Sequence, residues 1–240
     1  MAVASRARSR PTLGALPSPS VVRGAVEELY DYDALRALIV PTLLIVRTSV
    51  PTFVLGGSQP LDVLREDHRG LVVVRRRRGG GGIVLLQPED VWIDWWMPMS
   101  DERWSPDVHV SSVSAGERWR QVLVARLDRE VTLHEGGLAG DPKWHVACFA
   151  ARGPGEVFVD DRKVVGVTQW RVREGVFVST VLHAHSSSPL LDLLTNVPAG
   201  LAEALEHHTL YSLGLDGHDI ASALVDRSQP VDVRQVFLTL

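Results

Sequence analysis

The run Val72 to Val74, then Arg75 to Arg78, then Gly79 to Gly82, then Ile83 and Val84 constrains the fold more than any other part of the chain. Three β-branched apolar residues predict a buried strand. Four arginines and four glycines follow without a spacer, and the apolar pattern resumes at once. A linker between domains would not be gripped this tightly by apolar strands on both sides. Glycines let backbone amides approach a ligand closely, because no Cβ stands in the way. Guanidinium groups hold carboxylates and phosphates in a planar, two-pronged way. A strand that ends in arginines and then glycines is therefore a candidate anion cradle. It lacks the Gly-Lys-Ser/Thr of a P-loop and the spacing of a dinucleotide-binding turn.

The rest of the chain narrows the setting. A net charge of −4 gives no global attraction to nucleic acid or membrane, so the four arginines are a local feature. Cys148 is the single cysteine, which excludes an internal disulfide and fits a reducing cytoplasm. The apolar runs near Ala37 to Val46 and Val50 to Gly56 are interrupted by Pro41, Arg47 and Pro51, short of the ~20 residues that span a bilayer. Residues 1–24 carry Arg6, Arg8, Arg10 and Arg23 with no acid, and read as a disordered basic tail. Residues 25–240 read as one domain, with no repeat and no internal linker.

Periodicity predicts helices over Ala25 to Ile39, Ser114 to Leu127, Leu190 to Leu194, Leu201 to His207 and Ala221 to Asp226, and a short one over Leu61 to Asp67. Strands are expected at Leu43 to Arg47, Thr52 to Leu55, Leu71 to Val74, Ile83 to Leu86, Val91 to Met97 and Val131 to His134. More follow at Ala147 to Phe149, Glu156 to Val159, Lys163 to Arg171 and Val176 to Leu182, with a short element at Val231 to Leu238. Many strands and few helices, in irregular order, predict an α+β domain with a mostly antiparallel sheet flanked by helices.

A second segment bears on chemistry: Asp161-Arg162-Lys163-Val164-Val165-Gly166-Val167-Thr168-Gln169. Lys163 follows an Asp-Asp turn and opens an apolar run. It reads either as a solvated strand-start residue or, if it faces the glycine loop, as an ammonium that holds a phosphate or oxyanion. Cys148 reads as a buried filler or, beside a cation, as a nucleophile. His183 and His185 fall two apart, with His207 and His208 further on, but no Cys or carboxylate stands at metal-site spacing, and no metal site is expected. The tryptophans at 92, 95, 96 and 170 read as core, or as the walls of an acyl tunnel.

The two segments together resemble the lipoate–protein ligase and octanoyltransferase superfamily, which shares a catalytic domain with biotin–protein ligases. The run Arg76 to Val84 is similar to that family's arginine–glycine motif. The run Asp161 to Gln169 is similar to its lysine motif, and Val50 to Gln59 to an early strand that ends in Gly and Gln. The resemblance covers roughly Pro41 to Leu194. It implies a biotin/lipoate protein ligase-like catalytic domain over residues 25–240. The implied activity condenses lipoate or octanoate with ATP to an acyl-adenylate, with Mg2+ sharing the pyrophosphate charge. The acyl group then passes to a lysine of a lipoyl domain, in 2-oxoacid dehydrogenases or the glycine cleavage carrier protein.

By position, Arg76 and Arg77 would flank the cradle, Gly80, Gly81, Gly82 and Gly166 would meet the adenylate or acyl chain, and Lys163 would bridge carbonyl oxygen and phosphate. A branch of the superfamily instead takes octanoate from acyl carrier protein on a cysteine, without ATP, and Cys148-Phe149 stands where that cysteine lies. Two departures suit a third possibility, an inactive acyl- or nucleotide-binding module. Leu86-Gln87 replace the family's His-Asp, and Ser179-Thr180 stand where many members have a histidine. The cytoplasm is the expected compartment.

Overall fold

The computed structural model describes residues 26–66, 72–225 and 231–238. The expected basic tail lies outside the described residues, as do the ends of four expected elements at Ala25, Asp67, Leu71 and Asp226. Two sheets face each other. The larger contains β2 (Thr42–Thr48), β6 (Val91–Pro98), β7 (Val131–Leu133), β8 (Val157–Val159), β9 (Arg162–Val172), β10 (Gly175–Leu182) and β11 (Asp232–Leu238). Its order is β11-β2-β6-β10-β9-β8-β7, antiparallel throughout except for the β11–β2 pair. The smaller contains β1 (Glu27–Glu28), β3 (Thr52–Leu55), β4 (Val73–Arg76) and β5 (Val84–Leu86), in the order β1-β4-β3-β5. Two of its three pairings are parallel. The α+β expectation therefore holds, with a mixed second sheet.

β10 lies at the centre of the large sheet, and all eight of its residues are buried. A strand covered on both faces reads as a continuous apolar run, which is why it stands out in the sequence. One face of the large sheet packs on α2 (Val108–Val124) and α5 (Gly217–Leu224), through Trp119, Leu123 and Ile220 against Ile93, Val176 and Val178. The other packs on the small sheet, through Phe53, Leu55 and Leu85 against Trp92, Trp96 and Phe177. Strand alternation thus separates the β6 tryptophans: Trp92 and Trp96 enter the core between the sheets, and Trp95 enters the core beneath the helices. They form no common tunnel wall.

Three expected elements differ, the first being the short helix foreseen over Leu61 to Asp67, which among the described residues is only a 3-10 turn at Leu61–Val63. The helix foreseen over Ala25 to Ile39 is reduced to α1 (Tyr32–Arg36), because the Asp31 carboxylate caps Ala34 and starts the helix there. Upstream, Glu27 and Glu28 pair with Arg75 and Arg76 as β1. The strand foreseen at Ala147 to Phe149 is instead a pair of 3-10 turns, Pro142–Val146 and Cys148–Ala150. The Asp141 carboxylate accepts from the Lys143 amide and starts the first turn, with Pro142 at its head. The remaining helices are α3 (Leu190–Leu193) and α4 (Leu201–His207), close to expectation. No helix of the described residues is long and apolar enough to cross a membrane.

A β-bulge interrupts the β8–β9 pairing: Val165 faces Val157, but Lys163 faces Phe158. Val164 is the extra residue. Val164 and Val165 both enter the core beneath the helices, and Lys163 is turned the other way.

Candidate functional site

The four arginines leave β4 in four directions. Arg75 pairs with Glu27. Arg78 pairs with Glu28 at 3.3 Å and lies over the Tyr32 ring. Arg76 donates from one nitrogen toward the carbonyl oxygens of Gly56 (3.2 Å), Gly57 (3.4 Å) and Gln59 (2.5 Å), and so fastens the loop after β3. Arg77 is only 2% exposed. Its Nε and one terminal nitrogen donate to Gly80 O (3.2 and 2.8 Å); that terminal nitrogen also reaches Gly82 O (2.7 Å), and the other reaches Val54 O (3.1 Å). Burial pushes Arg77 below its ordinary range, but a guanidinium keeps its charge in proteins. The planar fork foreseen for a ligand thus grips the glycine loop from beneath. Arg77 supplies a fixed positive charge under the loop; its donors face protein carbonyls.

The glycine loop fits against its neighbours at backbone distance. A Cβ on Gly56 would stand 2.0 Å from Gly81 O, and Gly81 itself has φ +86°, so two loops meet where side chains cannot. Thr168 on β9 donates to Gly80 O at 2.9 Å and closes the loop onto the large sheet. The Ile83 amide donates to Val146 O, and the Cys148 amide to Ile83 O, so the chain after the loop carries the Cys148–Ala150 turn. Gly80 has open space where a Cβ would be.

Lys163 is buried, contrary to the reading of a solvated strand start. Its Nζ donates to Cys148 O (2.8 Å), Ala151 O (3.1 Å) and Glu156 Oε1 (2.5 Å), with 1% and 5% of the two side chains of the ion pair exposed. The Phe149 ring lies 4.8 Å from the ammonium. Burial raises Glu156 above the usual carboxylate range, and the nearby Lys163 charge opposes the shift. The bulge at Val164 brings Lys163 to this side of the sheet. Gly166 follows on the same side, and a Cβ there would meet the Phe149 ring at 2.8 Å.

Cys148, Arg77, Gly166 and Thr168 therefore converge on one cleft between the sheets, which Trp92 and Ser179 also line. Its free volume is about 10 Å³, room for about one water. Cys148 is half-buried there. Across the Cys148–Ala150 turn, a cavity of about 270 Å³ is bordered by Lys163, Phe149, Ala151 and His208. The structure brings together Arg77, Cys148 and Gly166 in one cleft, sets Lys163 one turn away, and keeps Arg76 on the loop after β3.

Sequence reasoning missed Asp94. This β6 carboxylate is fully buried and accepts from Trp92 Nε1 at 2.7 Å and from the Tyr30 hydroxyl. Burial pushes it up to about 7 and also raises Tyr30. A single apolar-flanked Asp in a strand was the available signal. Its folded value lies above the ordinary ~3.9, so its contribution to stability is complete below about pH 4 and is lost as pH rises through about 7. Asp94→Asn is expected to remove that dependence. The parent should lose about 4 kcal/mol relative to the variant between those limits, measured by denaturant unfolding across pH. A constant difference between the two proteins would refute the assignment.

No protein-family model matches the chain, and no curated protein matches it in sequence. Solved structures do match. A bi-partite lipoate protein ligase of Thermoplasma acidophilum, described with its E2 lipoyl domain, is 14% identical with TM-score 0.63, over 90% of this chain and 87% of that one. A T. acidophilum protein with bound lipoic acid is 15% identical with TM-score 0.63, over 88% and 82%. A lipoate-protein ligase A bound with ATP is 16% identical with TM-score 0.61, over 83% and 76%. The fold is that of the lipoate–protein ligase catalytic domain.

Proposed function

We propose that the protein is a lipoate–protein ligase. It activates lipoate or octanoate with ATP and passes the acyl group to a lysine of a lipoyl domain, as in 2-oxoacid dehydrogenases or the glycine cleavage carrier protein. The observation that carries this reading is the convergence on one cleft of Gly166, Cys148 and Arg77, the arginine that grips the glycine loop, with a buried lysine beside it. Similarity to lipoate ligases solved with ATP, with lipoic acid and described with a lipoyl domain supports it.

In this reading the closed cleft is the resting state. Substrate entry lifts the glycine loop from Thr168 and lets the amides of Gly80, Gly81 and Gly82 meet the adenylate. Arg76 holds the neighbouring loop, and Arg77 supplies positive charge beneath. Lys163 leaves Glu156 to neutralise the acyl oxygen and phosphate, which otherwise repel the attacking carboxylate. No group of three metal-binding side chains stands among the described residues, so the magnesium ion comes with the nucleotide's phosphates.

Cys148 supports a second reading. It is half-buried and lines the cleft together with Arg77. An octanoyltransferase would use it to take octanoate from acyl carrier protein as a thioester. Octanoate-dependent exchange of pyrophosphate into ATP tests the ligase directly. Under the ligase reading Cys148→Ser keeps this exchange within about threefold, since a small change at a non-reacting position costs mainly stability. An octanoyl adduct on Cys148, formed without ATP and absent from Cys148→Ser, would establish the transferase instead.

A further inference from the structure

Among the described residues, no imidazole lines the cleft with Cys148, yet the structure holds one nearby, against the Phe149 ring. His183 follows β10 directly and is fully buried. Its Nδ1 lies 2.9 Å from Asp90 Oδ2. That carboxylate also accepts from the Gln87 amide (2.8 Å, Oδ2) and the Ala184 amide (2.8 Å, Oδ1). Asp90 is thus held by two backbone donors, and its remaining capacity falls on the imidazole. A carboxylate that accepts at Nδ1 fixes the proton there and leaves Nε2 as a bare acceptor. Nε2 is buried and has no hydrogen-bond partner. A buried unpartnered acceptor costs about 1–3 kcal/mol, and such an atom in a native fold calls for an explanation.

Its surroundings supply one. The imidazole and the Phe149 ring lie with centroids 4.1 Å apart. Phe149 belongs to the turn that carries Cys148 and borders the 270 Å³ cavity, so the ring has space to swing into. Val181, on β10 two residues before His183, lines the cleft with Cys148. Around the imidazole, the charged or titratable groups are Asp90, Tyr211 (ring centroid 6.3 Å away) and, beyond Phe149, the Lys163–Glu156 pair.

We propose that His183, positioned by Asp90, is the general base of acyl transfer: when Phe149 moves aside, Nε2 takes the proton from the ammonium of the incoming carrier lysine. The inference rests on the ligase reading. The lysine nitrogen forms a bond to the acyl carbon, the bond from that carbon to the adenylate's phosphate oxygen breaks, and AMP leaves with the electron pair. The nitrogen sheds two protons between ammonium and amide: the first passes to Nε2 before attack and then to water, and the second, released once the bond to carbon has formed, goes to water.

The test uses the full chain, octanoate, ATP and a lipoyl domain, and follows two steps separately: octanoate-dependent pyrophosphate exchange, and octanoylation of the lipoyl domain by intact mass. His183→Gln should slow octanoylation about 100-fold or more relative to its effect on exchange, the usual contribution of a general base. Its pH profile should also change. The parent rate reaches a plateau, and the variant rate climbs about tenfold per pH unit toward the lysine's own range near ~10.4. Asp90→Asn should show the same profile in milder form, which a purely structural role would not produce. Circular dichroism checks that both variants are folded, and if His183→Gln is not, Asp90→Asn decides. An unchanged ratio of the two steps with an unchanged profile overturns the proposal alone. Absence of exchange and octanoylation in the parent overturns the ligase reading and this inference with it.

Discussion

Replacing Arg77 with methionine is expected to destabilise the protein by about 3–5 kcal/mol and to dismantle the glycine loop. The side chain has the right length, so packing is nearly kept and the loss is polar. Carbonyl oxygens of Val54 and Gly82 lose the Arg77 donor, and Gly80 O keeps only Thr168, at roughly 1–3 kcal/mol for each buried group left unpaired. Arg77→Lys restores the charge without the planar fork, which cannot then reach three carbonyls at once, and should recover less than half of the loss. Denaturant midpoints of the two variants check both statements. Midpoints equal to the parent's would mean that the loop keeps its shape without the guanidinium.

The second large effect concerns Lys163 and Glu156. Lys163→Ala strands a carboxylate that is 5% exposed, and breaking a buried pair from one side costs about 3–5 kcal/mol. Glu156 already titrates above the usual carboxylate range because of burial, and loss of the lysine moves it further up. A carboxyl whose folded value is raised contributes its stability at low pH and loses it as pH rises. The Lys163→Ala protein should therefore regain stability in acid, where Glu156 is neutral, and be weakest at neutral pH and above. Combining Lys163→Met with Glu156→Leu removes both charges and should return the midpoint to near the parent's. If Lys163→Ala unfolds like the parent at every pH, the pair is not buried in solution. Any activity assay of a Lys163 variant has to be read against this loss of fold.

The sequence carried the placement of the parts better than their contacts. The strands expected at Leu71 to Val74 and Ile83 to Leu86 stand at Val73–Arg76 and Val84–Leu86 around the glycine loop, because β-branched runs and glycine punctuation are local signals. Lys163 at the head of β9 was legible for the same reason. Its burial was not, since the neutralising Glu156 belongs to the chain before β8 and meets it only after the strands pair. Asp90 and His183, 93 residues apart, leave no trace in either neighbourhood. Ala147 to Phe149 looked like a strand because a short apolar run satisfies a strand and a tight turn equally well. The arginine motif is legible in the sequence, and the carbonyls that Arg76 and Arg77 hold are not. Whether a guanidinium faces a ligand or its own backbone depends on carbonyls contributed by β3 and by the loop itself, which composition does not encode.

The bulge at Val164 has a consequence for how such motifs are counted. On a regular strand two residues three apart project to opposite faces. Lys163 and Gly166 share a face only because one surplus residue lies between them. The spacing Lys-x-x-Gly is thus the written form of an irregularity, an odd interval where strand arithmetic demands an even one. The surplus residue works like a frameshift in the backbone: it moves a cation from the ledger of one hydrophobic core to that of the other and leaves everything downstream in phase. A chain of this fold with the same lysine and glycine but without the intervening insertion would keep the letters of the motif and lose its geometry.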